Sequence, residues 1–151
     1  MEMRVELRLL YATPDADSLM LLESLLASAL ELTPLQVTTA HVASTGALMA
    51  RADSRSDDII LLDWPMAYAA TPQLVHELLE RNPQLRIVAL LPASYRQYRR
   101  EVWRAGACSS IAKENMEQEW FSSVLCIMHR AMQREARLHA QYLGLAAPSA
   151  V

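Results

Sequence analysis

Short apolar runs alternate with longer segments of helical spacing along the chain. The apolar runs predict five strands, at residues 5–11, 35–42, 57–63, 85–91 and 108–112. Apolar positions repeated every three or four residues predict five helices, at residues 14–31, 44–55, 71–81, 94–105 and 115–143. Strand and helix therefore alternate five times, and the connections between them are short.

This alternation predicts an α/β fold. The expected architecture is a doubly wound five-stranded parallel sheet, flavodoxin-like, with strand order 2-1-3-4-5 and an extended C-terminal helix. Functional residues of such sheets lie in a crevice at the carboxyl ends of the strands, beside the switch point between strands one and three. The side chains predicted at that crevice are Ala12, Thr13, Asp63, Leu91 and Lys113.

Composition favours one soluble domain. The 151 residues are 52% hydrophobic and 21% charged, which is enough for one full core. The most apolar stretch, residues 19–32, is interrupted by glutamate and serine, so no membrane span is predicted. The N-terminal residues carry alternating charges instead of a secretory pattern, and we therefore expect a cytoplasmic location.

Common motifs of catalysis and cofactor binding are absent from the sequence. The three glycines are far apart, which excludes glycine-rich phosphate loops, and neither a zinc-protease motif nor a serine-hydrolase elbow is present. Cys108 and Cys126 are predicted to be reduced thiols in the core. The sequence therefore predicts a protein that is not an enzyme and has no resident cofactor or metal.

Charge is divided unevenly between the two halves of the chain. Residues 1–80 hold four arginines and twelve acidic residues, a net charge of −8. Residues 81–151 hold ten basic and five acidic residues, a net charge of +5. Lys113 is the only lysine of the chain, but this alone does not indicate a function. It becomes informative only if an independent observation points to the same residue.

Two segments resemble the receiver domain of bacterial two-component response regulators, and the resemblance extends over residues 4–128. One segment is the apolar strand that ends at Asp63; the other is the stretch RAGACSSIAK, which ends at Lys113. The resemblance implies that Asp63 occupies the position of the phosphoryl-accepting aspartate. It also implies that Lys113 occupies the position of the lysine that pairs with that aspartate, and the only lysine of the chain stands there.

The end of strand one departs from the family pattern. The family has an acidic pair there that holds Mg²⁺, whereas this chain has Tyr11, Ala12 and Thr13. Thr13 is predicted to be the N-cap of helix one, with Asp15 in its first turn beside the positive end of the helix dipole. Ligation of a metal by Asp15 is the alternative.

Strands four and five also depart from the pattern. Leu91 replaces the hydroxyl residue that binds a phosphoryl oxygen, and Ser110 replaces the switch aromatic residue. These departures predict a degenerate site in which Asp63 and Lys113 form a structural ion pair. Mg²⁺ is expected only if the site still accepts a phosphoryl group.

Helix four combines arginine with aromatic residues. The members predicted to form an interface are Tyr95, Arg96, Tyr98, Arg99, Arg100 and Trp103. Because arginine and aromatic residues are enriched at protein interfaces, a protein partner is favoured over an ordinary solvated surface, and nucleic acid is least favoured.

The final helix is longer than the edge of one sheet requires, about 29 residues or roughly 43 Å at 1.5 Å per residue. We therefore predict a receiver-like domain at residues 1–130 and, at residues 131–151, a projecting helix end with a short flexible tail. A heptad-like stripe that includes Met128, Leu138 and Tyr142 predicts a homodimer or the stem of a linker to an output domain.

Two functions remain as hypotheses. The favoured one is a divergent receiver-like signal-transduction domain, a pseudo-receiver, that binds protein partners as a dimer without normal Mg²⁺-dependent phosphorylation. The alternative is a working response regulator that a histidine kinase phosphorylates on Asp63.

Overall fold

The computed structural model describes residues 6–33 and 35–146, which form a parallel sheet with helices on both faces. The strands are β1 (Leu7–Ala12), β2 (Val37–Val42), β3 (Ile59–Asp63), β4 (Arg86–Leu91) and β5 (Ser109–Ala112). The helices are α1 (Ala16–Leu32), α2 (Thr45–Asp53), α3 (Thr71–Arg81), α4 (Tyr98–Ala105) and α5 (Gln118–Ala146). All neighbouring strands are parallel in the order β2-β1-β3-β4-β5, which confirms the predicted fold class.

Each face of the sheet has its own hydrophobic core. Helices α2, α3 and α4 cover one face and contribute Leu48, Val75 and Val102 to its core. Helices α1 and α5 cover the opposite face with Leu26 and Phe121 among the buried residues. Because β3 lies in the middle of the sheet under both layers, all five of its residues are buried, which explains its continuous apolar sequence before the final aspartate.

Helix α1 begins later than the sequence predicts. The amide of Thr13 donates to the carbonyl of Val42 at 3.1 Å, so Thr13 continues the strand ladder. The N-cap is Asp15, whose Oδ1 accepts a hydrogen bond from the Asp17 amide at 3.3 Å. The predicted N-cap at Thr13 is therefore wrong, and Thr13 remains at the end of β1 with its side chain buried.

Edge strand β5 is only half-buried along its length. Cys108, the residue before it, is exposed, and Cys126 on α5 is half-buried. The prediction that both thiols lie in the core is wrong, and Cys108 is exposed because it precedes a strand at the open edge of the sheet.

Gly106 joins α4 to the edge of the sheet. Its φ of 116° lies in the left-handed region, and its amide closes the last turn of α4 by donating to the Trp103 carbonyl at 3.0 Å. A Cβ atom at this position would clash with Leu79 on α3. Glycine therefore permits both the turn and the close packing of α4 on α3.

Helix α5 has 29 residues, so the predicted long final helix is present. Phe121, Leu125 and Met128 face the core, and Met128 is only 5% exposed. The prediction of Met128 as an interface residue is wrong, because its spacing of three residues from Leu125 and seven from Phe121 places it on the buried face. Of the predicted helix end and tail at residues 131–151, residues 147–151 lie outside the described residues. Within the described part of the chain, no helix is both long and apolar enough to cross a membrane.

Candidate functional site

Three predicted site residues meet at the carboxyl ends of the strands. Asp63 is the last residue of β3, Thr13 directly follows β1 and Lys113 directly follows β5. The strand order places β3 between β1 and the β4–β5 pair, so side chains from both directions reach Asp63. The structure therefore brings together residues that are 50 positions apart in sequence on either side of Asp63.

The carboxylate of Asp63 is fully buried, with 0% exposure. Its Oδ2 accepts a hydrogen bond from Thr13 Oγ1 at 2.8 Å. Lys113 Nζ lies 2.8 Å from Oδ1, as a charge contact that lacks hydrogen-bond angles. A buried charge is costly unless it is paired, and this pairing comes from the chain itself.

Lys113 also connects the site to α1. Its Nζ donates to Ser18 Oγ at 3.3 Å, and Ser18 Oγ donates to Asp15 Oδ2 at 2.8 Å. The Ser18 hydrogen bond, the hydrogen bond from the Asp17 amide and the positive charge of Lys113 hold the pKa of the Asp15 carboxyl below its ordinary value. Asp15 is exposed and caps α1, as expected for the helix-capping role instead of the metal-ligating one.

The remaining positions of the predicted site are either apolar or already hydrogen-bonded within the chain. Ala12 and Leu91 are buried apolar side chains in the core beneath α2, α3 and α4. Ser110 is half-buried, and its Oγ accepts a hydrogen bond from Arg99 Nε at 3.2 Å. Tyr11 lies in the opposite core, where burial raises the pKa of its phenol. The hydroxyl of Thr13 is thus a polar group at the position where the sequence resemblance implies an acidic pair.

These residues do not fit a magnesium site. Magnesium prefers several oxygen ligands in octahedral geometry, including carboxylates. Asp63 is the buried carboxylate at the site, and both of its oxygens already have partners. Among residues 6–33 and 35–146, no group of three histidine, cysteine, aspartate or glutamate side chains is arranged to hold a metal ion.

An aromatic cluster stands beside the site, and the sequence pattern did not reveal it. The ring of Trp64, directly after Asp63, stacks on Tyr95 with centroids 4.9 Å apart and lies 5.0 Å from Tyr98. The signal was present, since an aromatic residue follows the site aspartate and two tyrosines stand three residues apart after β4. Tyr95 stacks on Trp64 and Tyr98 contacts it at a tilt, so both tyrosines have a structural role in addition to the predicted interface role.

The loop after β4 is held by a second contact in addition to the stacking of Tyr95 on Trp64. Glu114, in the turn after β5, accepts a hydrogen bond from the Ala93 amide through Oε2 at 2.8 Å. Together with the Trp64 stack, this contact fixes the loop next to Asp63. The loop after β4 is therefore held both by the residue after β3 and by the turn after β5.

The other predicted interface residues form a basic and apolar surface. Arg99, Arg100 and Trp103 on α4 are exposed, as is Arg96 in the turn before this helix, which begins at Tyr98 and not at residue 94 as predicted; Trp103 is 69% exposed. The surface continues across β5, where Arg99 contacts Ser110. Leu138 and Tyr142 are exposed farther along the chain, on the second half of α5.

Comparisons with known proteins identify the fold. No protein-family model and no curated protein matches the sequence. The signal receiver domain of an HD domain-containing protein from Pseudomonas fluorescens superposes with a TM-score of 0.73 at 15% identity, over 91% of this chain and 95% of that one. A protein described as pilus assembly-related, from Burkholderia pseudomallei, gives a TM-score of 0.69 at 20% identity, over 86% of this chain and 94% of that one.

A third similar structure contains a metal ion. The receiver domain of a sensor histidine kinase from Pseudomonas aeruginosa, with a magnesium ion coordinated in its active-site cleft, gives a TM-score of 0.63 at 17% identity. The match covers 83% of this chain and 97% of that one. The chain therefore has the receiver-domain fold, and the sequence resemblance is confirmed at the level of the fold.

Proposed function

We propose that this chain is a receiver-like signal-transduction domain that acts by binding proteins and does not undergo normal Mg²⁺-dependent phosphorylation. The observation that carries the proposal is the hydrogen bond from Thr13 Oγ1 to the buried carboxylate of Asp63. This site, in which the Thr13 hydroxyl covers the Asp63 carboxylate, lies within a fold whose solved examples include signal receivers. We expect the protein to act in the cytoplasm.

The requirements of phosphoryl transfer argue against a reaction at Asp63. The accepting oxygen must be available for in-line attack, and a metal ion must neutralise charge on the transferred group. Here one oxygen of Asp63 accepts the Thr13 hydroxyl and the other contacts Lys113. Phosphorylation would therefore have to displace either the Thr13 hydroxyl or the Lys113 ammonium group from the carboxylate, without the acidic ligands that recruit Mg²⁺.

The competing function is a response regulator phosphorylated on Asp63 by a histidine kinase. It is favoured by one observation, the 2.8 Å contact between Asp63 and Lys113 at the ends of β3 and β5. That contact is equally expected for an ion pair that only stabilises the sheet edge. The fixed loop after β4 and the apolar Leu91 favour the structural role.

Treatment with acetyl phosphate and Mg²⁺ tests the two functions directly. We expect the intact mass of the protein to stay unchanged, because Asp63 is buried and the site lacks acidic metal ligands. A receiver domain known to be phosphorylated by this donor, treated in parallel, should gain one phosphoryl group. An adduct that forms on the wild type and disappears in Asp63→Asn would contradict the proposal and establish the response-regulator alternative.

The surface of α4 supplies the proposed partner contact. Arg96, Arg99 and Arg100 give it positive charge, and the exposed Trp103 ring gives it a large apolar group. Arginine and tryptophan are the residues that most often dominate binding energy at protein interfaces. We therefore propose that this surface binds an acidic protein surface.

Site-specific photo-crosslinking in the native cell tests this contact. A photoreactive phenylalanine derivative at position 103 should form a crosslink to one partner, and Arg99→Glu with Arg100→Glu should reduce that crosslink at least tenfold. The tenfold loss corresponds to about 1.4 kcal/mol of binding free energy. The same derivative at exposed Ser24 on α1 is the matched control. Equal crosslinking from both positions, or no effect of the charge reversal, would refute an interface on α4.

A further inference from the structure

An open groove of about 430 Å³ lies between α2 and α3. Its apolar lining includes Met49, Ala67 and Leu74, and Glu77 lies at its side. Gly46, near the start of α2, also lines the groove, and a Cβ added there would meet no atom within 4 Å. The groove is therefore wide at the position of Gly46 and presents apolar surface to any segment that enters it.

The second half of α5 offers apolar side chains that the sheet does not cover. Glu135 pairs with Arg86 at the start of β4, and the helix then continues to Ala146. We call residues 136–146 the extension. Leu138, Tyr142 and Leu143 within it are exposed, and Tyr142 has 73% of its surface accessible.

The extension and the groove are similar in length. At 1.5 Å per residue the 11 residues of the extension span about 16 Å, and the nine residues from Gln73 to Arg81, which form the α3 side of the groove, span about 13 Å. An amphipathic helix with apolar residues at three- and four-residue spacing is a common occupant of an apolar groove. Leu138 and Tyr142 are four residues apart and share one side of the helix.

The groove of a molecule is not positioned to receive its own extension. Helices α2 and α3 cover one face of the sheet, whereas α5 covers the opposite face and continues past the start of β4. An extension that enters the groove must therefore come from another molecule.

Charge favours a head-to-tail contact over a symmetric one. The charged residues of the groove lining are Glu77 and Arg81, and Arg81 pairs with Asp53, so these three residues together carry a net charge of −1. Arg130, Arg134 and Arg137 are exposed on α5 before and within the extension. Two extensions side by side offer each other Arg137 and no acidic residue, whereas an extension in the groove meets Glu77 of the neighbour.

We propose that the chain self-associates head to tail, with the extension of one molecule in the α2–α3 groove of the next. Such a contact uses two different surfaces, so each molecule keeps one groove and one extension for further neighbours. Assembly then continues to a closed ring or an open filament instead of stopping at a symmetric dimer. The α4 surface takes no part in this contact and remains available to the proposed partner.

Two full-length variants separate the two surfaces. Gly46→Trp fills the groove at a position with open space, and Leu138→Glu with Tyr142→Glu makes the extension polar. Wild-type protein should show a mass in light scattering that rises with concentration and falls at higher salt. Each variant alone should remain monomeric, with the circular dichroism spectrum of the folded wild type.

The mixture of the two variants gives the decisive result. The Gly46→Trp chain keeps its extension and the Leu138→Glu, Tyr142→Glu chain keeps its groove, so together they should form a 1:1 complex that grows no further. A symmetric pair of extensions predicts no complex in the mixture and a persistent dimer of Gly46→Trp alone, and either result would overturn the proposal. A wild type that stays monomeric at all concentrations would also overturn it.

Controls keep the test independent of folding and of the proposed function. Gln73→Trp is a second groove-filling variant on α3, for use if Gly46→Trp fails to fold, and Ser24→Trp on α1 should leave assembly unchanged. Asp63→Asn should also assemble as the wild type does, because the contact does not involve the site at the strand ends. A loss of assembly in Ser24→Trp would show that any bulky surface substitution disturbs the protein, and would count against the groove.

Discussion

Replacement of Lys113 by methionine is expected to lower the free energy of unfolding by about 3 kcal/mol, the lower end of the range for breaking a buried ion pair. The reason is that the carboxyl group of Asp63, with 0% exposure, would lose the ammonium group 2.8 Å from its Oδ1 and would stay buried without that partner. Urea denaturation at neutral pH, followed by circular dichroism, measures the change.

An exposed ion pair of the same protein provides the comparison. Arg81 and Asp53 are 2.6 Å apart but both are more than 40% accessible, so Arg81→Met should cost less than about 1 kcal/mol. The double variant Asp63→Asn, Lys113→Met should recover part of the loss, because it removes the buried charge together with its partner. If Lys113→Met costs no more than Arg81→Met, Lys113 is not needed to stabilise the Asp63 carboxylate.

Phe121→Ala is expected to lower the free energy of unfolding by about 4 kcal/mol, within the range for truncating a buried phenylalanine. Phe121 is 1% exposed and lies in the core that α1 and α5 form on one face of the sheet. Its removal would leave a cavity under the first half of α5. Thermal and urea denaturation should both report the loss.

The same helix supplies the control for this prediction. Leu138→Ala removes an apolar side chain from the exposed extension, where a change within about 0.5 kcal/mol is expected. Comparable losses from both substitutions would mean that the extension packs on the domain, which would contradict its availability to a second molecule.

The fold was predictable because its signals are local. Strand β3 has five consecutive buried residues, and the aspartate that ends it marks the carboxyl edge of the sheet. Short connections between alternating strands and helices then leave few topologies, so the strand order could be predicted as well. The positions of Asp63 and Lys113 at that edge depend only on these strand ends.

The closure of the site by Thr13 was not predictable in the same way. Threonine beside proline is a common helix start, and the sequence favoured that local role. The observed role depends on the pairing of β1 with both β2 and β3, which brings the hydroxyl to a carboxylate 50 residues away. The prediction of Met128 as an interface residue failed for a related reason, since a stripe of apolar residues does not itself show which side of α5 packs on the sheet.

The place of β1 in the sheet has a consequence for the protein while it is still on the ribosome. Leu9 pairs with Thr39 on one side and with Ile59 on the other, so β1 lacks its second neighbour until 50 more residues have been made. At translation rates of about 5–20 residues per second, this interval lasts about 3–10 s. During that time LRLLYA is an apolar segment of the nascent chain with an unpaired edge, and its one charged residue, Arg8, awaits its partner Asp58. We therefore expect aggregation during synthesis to be most sensitive to substitutions that delay β3, and a ribosome-bound chaperone to protect this segment.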